Sequence, residues 1–159
     1  MVPKKPNTPI MKKILPIIAL LIYFTSCTST KSTIKNIDDN APDLQVIENN
    51  TFYISEFSKD KKYGYDKDYP INIFYGDTQN ETINQHRFLS ALAGPKGEKI
   101  TFTKLESCCP FPTKRSEMGV GLLDVYELKW EGQKSSVVLY LNIYEKGVLM
   151  VPFGLRLKN

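Results

Sequence analysis

Residues 106–112, Glu106-Ser107-Cys108-Cys109-Pro110-Phe111-Pro112, set two sulfurs side by side and follow them with two prolines. Adjacent cysteines admit three chemistries. They can close a vicinal disulfide, although neighbouring Cα atoms across a trans peptide lie about 3.8 Å apart, below the usual disulfide span of roughly 4.4 to 6.8 Å. They can bind a soft metal such as Zn or Cu(I) as thiolates, with His86 or an acid completing the shell. That arrangement needs a break between the two residues, because successive side chains of an extended segment point to opposite faces. Pro110 biases Cys109 toward the extended conformation. In the third reading one cysteine fills a core position and its neighbour faces a loop. Strand alternation does not choose between the two sulfurs: Ile100 and Phe102 share a face with Cys108, and Leu105 shares one with Cys109.

Other chemistry-bearing residues are more isolated. His86, the chain's one histidine, falls at the margin of an apolar helical stripe, where a boundary role is expected before general-base work. Asp124 interrupts an apolar row near the start of a strand and is expected to be a hydrated, loop-facing acid. Gly119-Val120-Gly121-Leu122-Leu123-Asp124 lacks the Lys and Ser/Thr of a phosphate loop, and the residues after it alternate as a strand. Tyr63, Tyr65 and Tyr69 read as a local aromatic cluster before a stacking platform for ligands. No acid, base and nucleophile converge in the pattern. The expectation therefore leans away from catalysis, toward binding or scaffolding, with no catalytic residue and no cofactor or resident metal assigned.

The amino-terminal region carries a different signal. Lys12 and Lys13 precede an apolar run from Ile14 to Phe24, too short to span a bilayer as a helix. The run ends in Phe24-Thr25-Ser26-Cys27, which resembles the lipobox after which a bacterial signal peptidase leaves a lipid-modified cysteine first. Residues 1–27 are thus expected to be a lipoprotein signal peptide, with Met11 as its start and Cys27 as the lipidation site. Several acyl chains on one residue satisfy the requirement for stable anchoring. The expected location is the bacterial cell envelope, at the inner or the outer membrane.

Removing Lys4, Lys5, Lys12 and Lys13 with that segment leaves 17 of the 21 basic residues against 17 acidic ones. A balanced domain gives no electrostatic case for a nucleic acid partner. The expected partners are the membrane, through the lipid on Cys27, and an envelope protein or ligand of unspecified identity.

Residues 28–50 are rich in Ser, Thr, Asn and Asp without sustained periodicity and read as a flexible tether. Residues 51–159 are expected to form a single domain. Thr78 and Glu81 stand at capping-box spacing, Gln85, Phe88, Leu89 and Leu92 fall on one side, and Gly94-Pro95 supplies a stop. These predict a helix over about 80–93. Apolar residues then recur every second position over 122–130, 137–143 and 149–157, predicting three antiparallel strands. Pro152 marks the last as an edge. With shorter strands at 51–57 and 71–75, the expected class is α+β, a mainly antiparallel sheet of four to six strands with one principal helix on one face.

Several pieces of the chain together resemble a family of small envelope lipoproteins from flavobacteria and their relatives. They are Tyr63-Gly64-Tyr65 with Pro70-Ile71, Arg87-Phe88-Leu89 with Ala91-Leu92 and Gly94-Pro95, and Ser107-Cys108-Cys109-Pro110-Phe111. Gly121-Leu122-Leu123-Asp124 and Leu139-Tyr140-Leu141-Asn142 with Tyr144 complete the set, which spans roughly residues 53–153. The resemblance implies an exported domain and brings no catalytic residues with it. Some members carry the name 2-dehydro-3-deoxyphosphooctonate aldolase. That name implies a TIM barrel of typically about 250 residues, which neither the length of residues 51–159 nor their antiparallel pattern accommodates.

Overall fold

The computed structural model describes residues 32–74 and 81–158. They form an α+β arrangement, mostly strand with one short helix, α1 (Glu81–Ser90). Three strands make an antiparallel meander: β6 (Thr101–Pro112), β7 (Val120–Lys129) and β8 (Val137–Asn142). A short strand, β4 (Ile71–Asn72), adds to β8 in parallel, giving the order β4-β8-β7-β6. The remaining short strands pair two by two, so the sheets hold two to four strands each.

The meander forms because its alternating residues bury one face against α1. Phe102 stands opposite Leu128, and Tyr126 opposite Leu139. Leu128, Leu139 and Leu141 are fully buried together with Ile71, Phe88 and Leu89. Each such side chain contributes roughly 2 kcal/mol by leaving water. On the helix, Gln85, Phe88 and Leu89 are buried as the spacing requires, and Leu92, just beyond its end, is buried too. Thr78, the expected cap, lies outside the described residues.

Two elements end earlier than the periodicity indicates. The helix stops at Ser90 because Leu92–Ala93 (β5) pairs antiparallel with Arg156–Leu157 (β10). Gly97 then takes φ +93° while its N–H donates to Gly94 O at 2.9 Å. The alternation over 149–157 is not one strand. Met150–Val151 (β9) runs parallel to Glu56–Phe57 (β3), and a turn closed by Leu155 N–H on Pro152 O, at 3.1 Å, leads into β10. Pro152 offers no N–H to a ladder, and Gly154 at φ +87° bends the chain. A period of two continues through such a turn, so side-chain pattern alone does not show it.

The segment read as a tether folds onto the domain from residue 32. Ile34 and Ala41 are buried, and Val46–Ile47 (β1) forms a hairpin with Thr51–Phe52 (β2). Lys35 N–H donates to Asp68 O at 2.9 Å, and Asp38 N–H to Lys146 O at 2.8 Å. Asp39 pairs with Arg115 at 2.6 Å, and Asp43 with Lys146 at 2.8 Å. A polar composition reads alike whether its side chains are hydrated or bridge to a distant part of the chain, which is why the sequence suggested a tether here.

Two buried asparagines lock this arm. Asn142 Nδ2 donates to Asn72 Oδ1 at 2.9 Å, and Asn72 Nδ2 donates to Asn36 O at 2.8 Å. Gly147 leaves room for the contact, since a Cβ there would collide with Asn36 O. Asn72→Ala strands both partners in a dry site. We expect it to lower the unfolding free energy by about 2 kcal/mol and to expose residues 32–50 to limited proteolysis before global unfolding. Denaturant titration and peptide mapping check this; an unchanged cleavage pattern contradicts the lock.

Candidate functional site

The β6–β7 ladder resolves the alternation conflict at the cysteines. Pairing runs Ser107 with Asp124 and Cys108 with Leu123, then resumes at Phe111 with Gly121. One extra residue is thus accommodated around Cys109-Pro110, a β-bulge. A second irregularity between Lys104 and Glu106 turns out Leu105, which is 53% exposed. Each bulge resets which side chains share a face.

At the bulge beside the disulfide, Cys109 takes φ +58°, a left-handed conformation that few residues other than glycine adopt. Cys108 and Cys109 are joined as a vicinal disulfide, their Cα atoms 3.8 Å apart with no cis peptide in the described chain. The break between the two residues that alternation forbids is supplied by this left-handed turn. The two sulfurs are thus placed within bonding reach of each other on one side of the turn.

Cys109 packs on a small second cluster made by Ile34, Phe111 and Leu123 and flanked by Tyr140 and Tyr144. This cluster lies across the sheet from α1, because Leu123 and Asp124 alternate along β7. Phe111 and Tyr144 meet edge to face with ring centres 6.0 Å apart. Gly121 permits that contact: a Cβ there would come within 2.7 Å of both rings. The glycine in the Gly-Val-Gly stretch serves close packing and no phosphate. Beside the disulfide lies a cavity of about 350 Å³, lined by Cys109, Pro110, Phe111, Thr33, Ile34, Lys67 and Asp68.

On the helix side, Asp124 departs from the expectation of a hydrated acid. It is 8% exposed and accepts hydrogen bonds from Gln85 Nε2 and Ser107 Oγ, both at 2.5 Å, while Lys104 Nζ stands 2.6 Å away. Gln85 Oε1 in turn accepts from Tyr126 OH at 2.6 Å. Burial, aided by the Asp124 charge, pushes the Tyr126 phenol up to about 12, so it stays protonated at neutral pH. The Ser107 hydroxyl donates to the Asp124 carboxylate, which Gln85 and Lys104 also hold. The set is a polar clamp joining α1 to β6 and β7. Its sequence signal is two polar exceptions, Gln85 and Asp124, in apolar stripes of elements that face each other.

His86 holds the boundary position expected of it, its ring 5.3 Å from Phe102 and 6.5 Å from Tyr126. The tyrosines form a packed group: Tyr63 is fully buried, meets Tyr69 edge-on at 5.5 Å and accepts the Met150 N–H at 3.1 Å. Tyr65 OH donates to Phe153 O at 2.8 Å, and burial raises its phenol to about 12. Among the described residues no group of three or more His, Cys, Asp or Glu is placed to hold a metal ion.

A further buried acid had no sequence signal. Glu145, 6% exposed, accepts from Thr113 Oγ1 at 2.7 Å and pairs with Arg115, whose other nitrogen reaches Asp39. The Arg115 guanidinium also lies 4.7 Å over the Phe74 ring. These partners lie far apart in sequence, and local pattern does not connect them.

Asp124→Ala removes the acceptor common to three donors. We expect a loss of about 3 kcal/mol, as when one partner of a buried pair is deleted. Lys104→Ala, at a side chain 44% exposed, is expected to cost about 1 kcal/mol or less. Equal losses in denaturant titrations contradict the clamp. No protein-family model, curated protein or solved structure matches the chain.

Proposed function

We propose that this chain is a lipid-anchored protein of the bacterial cell envelope whose small α+β domain binds or scaffolds an envelope protein or ligand at the membrane surface. The observation that carries the reading is the run Lys12-Lys13, Ile14 to Phe24, then Thr25-Ser26-Cys27. The resemblance to flavobacterial envelope lipoproteins supports it, as does the even charge balance after residue 27. Among the described residues no helix is long and apolar enough to cross a membrane. In this reading attachment is through acyl chains, of which two or more suffice for stable anchoring.

Folding from residue 32 gives the anchor a short spacer. Four residues lie between Cys27 and Ser32, a fully extended reach of roughly 18 Å over the intervening Cα–Cα steps. The domain therefore works close to the bilayer surface and does not sweep a wide volume on a long leash.

The vicinal disulfide favours a second reading, a thiol redox protein. A disulfide stabilises a fold chiefly by closing a loop in the unfolded chain, and one between residues 108 and 109 closes none. Its effect is local, on the bulge and on the availability of two thiols. Binding of a soft metal by Cys108 and Cys109 requires prior reduction, because a joined pair offers no thiolate.

Two experiments test these readings. With the full chain expressed in a lipoprotein-processing bacterium and fed an alkyne palmitate, label is expected on the wild type and its complete loss in Cys27→Ser. Label retained in the variant, or an unmodified mass for the wild type, overturns the first reading. For the second, thiol counting of denatured protein is expected to give none from Cys108 and Cys109 before reductant and two after. Two free thiols in protein isolated under alkylating conditions contradict it.

A further inference from the structure

Both cysteines are half-buried, but they differ in what they face. Cys109 lines the 350 Å³ cavity, and Cys108 does not. Three stretches of chain wall that cavity: the arm at Thr33 and Ile34, the turn at Lys67 and Asp68, and the bulge itself. Lys35 N–H, bonded to Asp68 O at 2.9 Å, ties the first two together. At the wall the Lys67 ammonium stands 3.0 Å from Asp68 Oδ1, and both side chains are half exposed. An ammonium and a carboxylate at one mouth complement a ligand carrying both charges, and the volume suits a small molecule.

The geometry points to the cavity as the entry site for a small zwitterionic thiol, of the class of cysteine or a short cysteinyl peptide, with Cys109 as the sulfur it attacks. This assignment rests on the thiol redox reading and names its substrate class. The incoming thiolate forms a bond to Cys109 Sγ. The Cys108–Cys109 bond breaks, and its electron pair leaves on Cys108 Sγ, which takes a proton from solvent. A second thiolate attacks the small-molecule sulfur of the mixed disulfide and expels Cys109 as a thiolate, which is then protonated. Two thiols are oxidised to one small disulfide, and the protein pair gains two electrons and two protons. Release of the bond frees Cys109 from its left-handed setting, and with it the contact of the bulge with Ile34.

The test uses the oxidised full chain in detergent micelles with cysteine, cysteamine, 3-mercaptopropionate and 2-mercaptoethanol. Second-order rates of reduction are normalised for each compound's thiolate fraction and nucleophilicity. Cysteine is expected to exceed the other three by at least fivefold, and Lys67→Ala to erase that preference. Thr33→Trp, which fills the cavity, is expected to slow all four by about tenfold, with Lys96→Ala as a remote control at the wild-type rate. Quenching with iodoacetamide is expected to trap cysteine on Cys109 and the alkyl group on Cys108. If the pair is reduced but the normalised rates are equal and Lys67→Ala changes nothing, the cavity assignment fails and the redox reading survives. If no thiol reduces the pair, both fail.

Discussion

The antiparallel pairing of Thr101–Pro112 with Val120–Lys129 is the constraint on which the rest of the domain depends. The pair lies at one side of the four-stranded sheet, with β6 as its edge, and has two faces to fill. On one, Tyr126 and Leu128 bury against α1, and Asp124 collects donors from both the helix and the neighbouring strand. On the other, Leu123 and Phe111 support the disulfide and receive Ile34 from the arm. The ladder absorbs two bulges without losing register at either end. Ser107 and Cys108 face opposite sides of the sheet by ordinary alternation, opposite Asp124 and Leu123, and the bulge that follows turns Cys109 back toward Cys108.

What could be read from the sequence depends on the range of the interactions involved. Two strands of the meander, β7 and β8, and most of the helix were legible because burial imposes a period on successive residues, as at Val137, Leu139 and Leu141 or at Gln85, Phe88 and Leu89. The alternation over 149–157, read as a third strand, divides between two other sheets. Bulges have no such period. Leu105 and Cys109 therefore defeated simple alternation, and the sequence alone left the cysteine parity undecided. The ion pair of Asp39 with Arg115 and the amide contact of Asn72 with Asn36 join residues far apart in sequence. No local pattern records them, and the arm consequently looked like a tether.

The functional readings draw on different parts of the chain. The proposed envelope attachment rests on the stretch from Lys12 to Cys27, which lies outside the described residues. The thiol reading rests on a bond that cross-links nothing except its own two residues. The two are compatible: an oxidised pair on a domain held near a membrane would sit in a compartment where disulfides persist. Asp124 and Glu145, buried acids of the described residues, each have their partners within the fold.

The dependence of both faces on one ladder is most directly tested by native-state hydrogen exchange on the full chain, with the cysteine pair oxidised and then reduced. Amides of Val125–Lys129 are expected to exchange only through global unfolding in both states, while those around Cys109, Phe111 and Ile34 accelerate on reduction. Fast exchange along Val125–Lys129 in the oxidised protein, or identical protection of the bulge and arm in both states, would contradict the account.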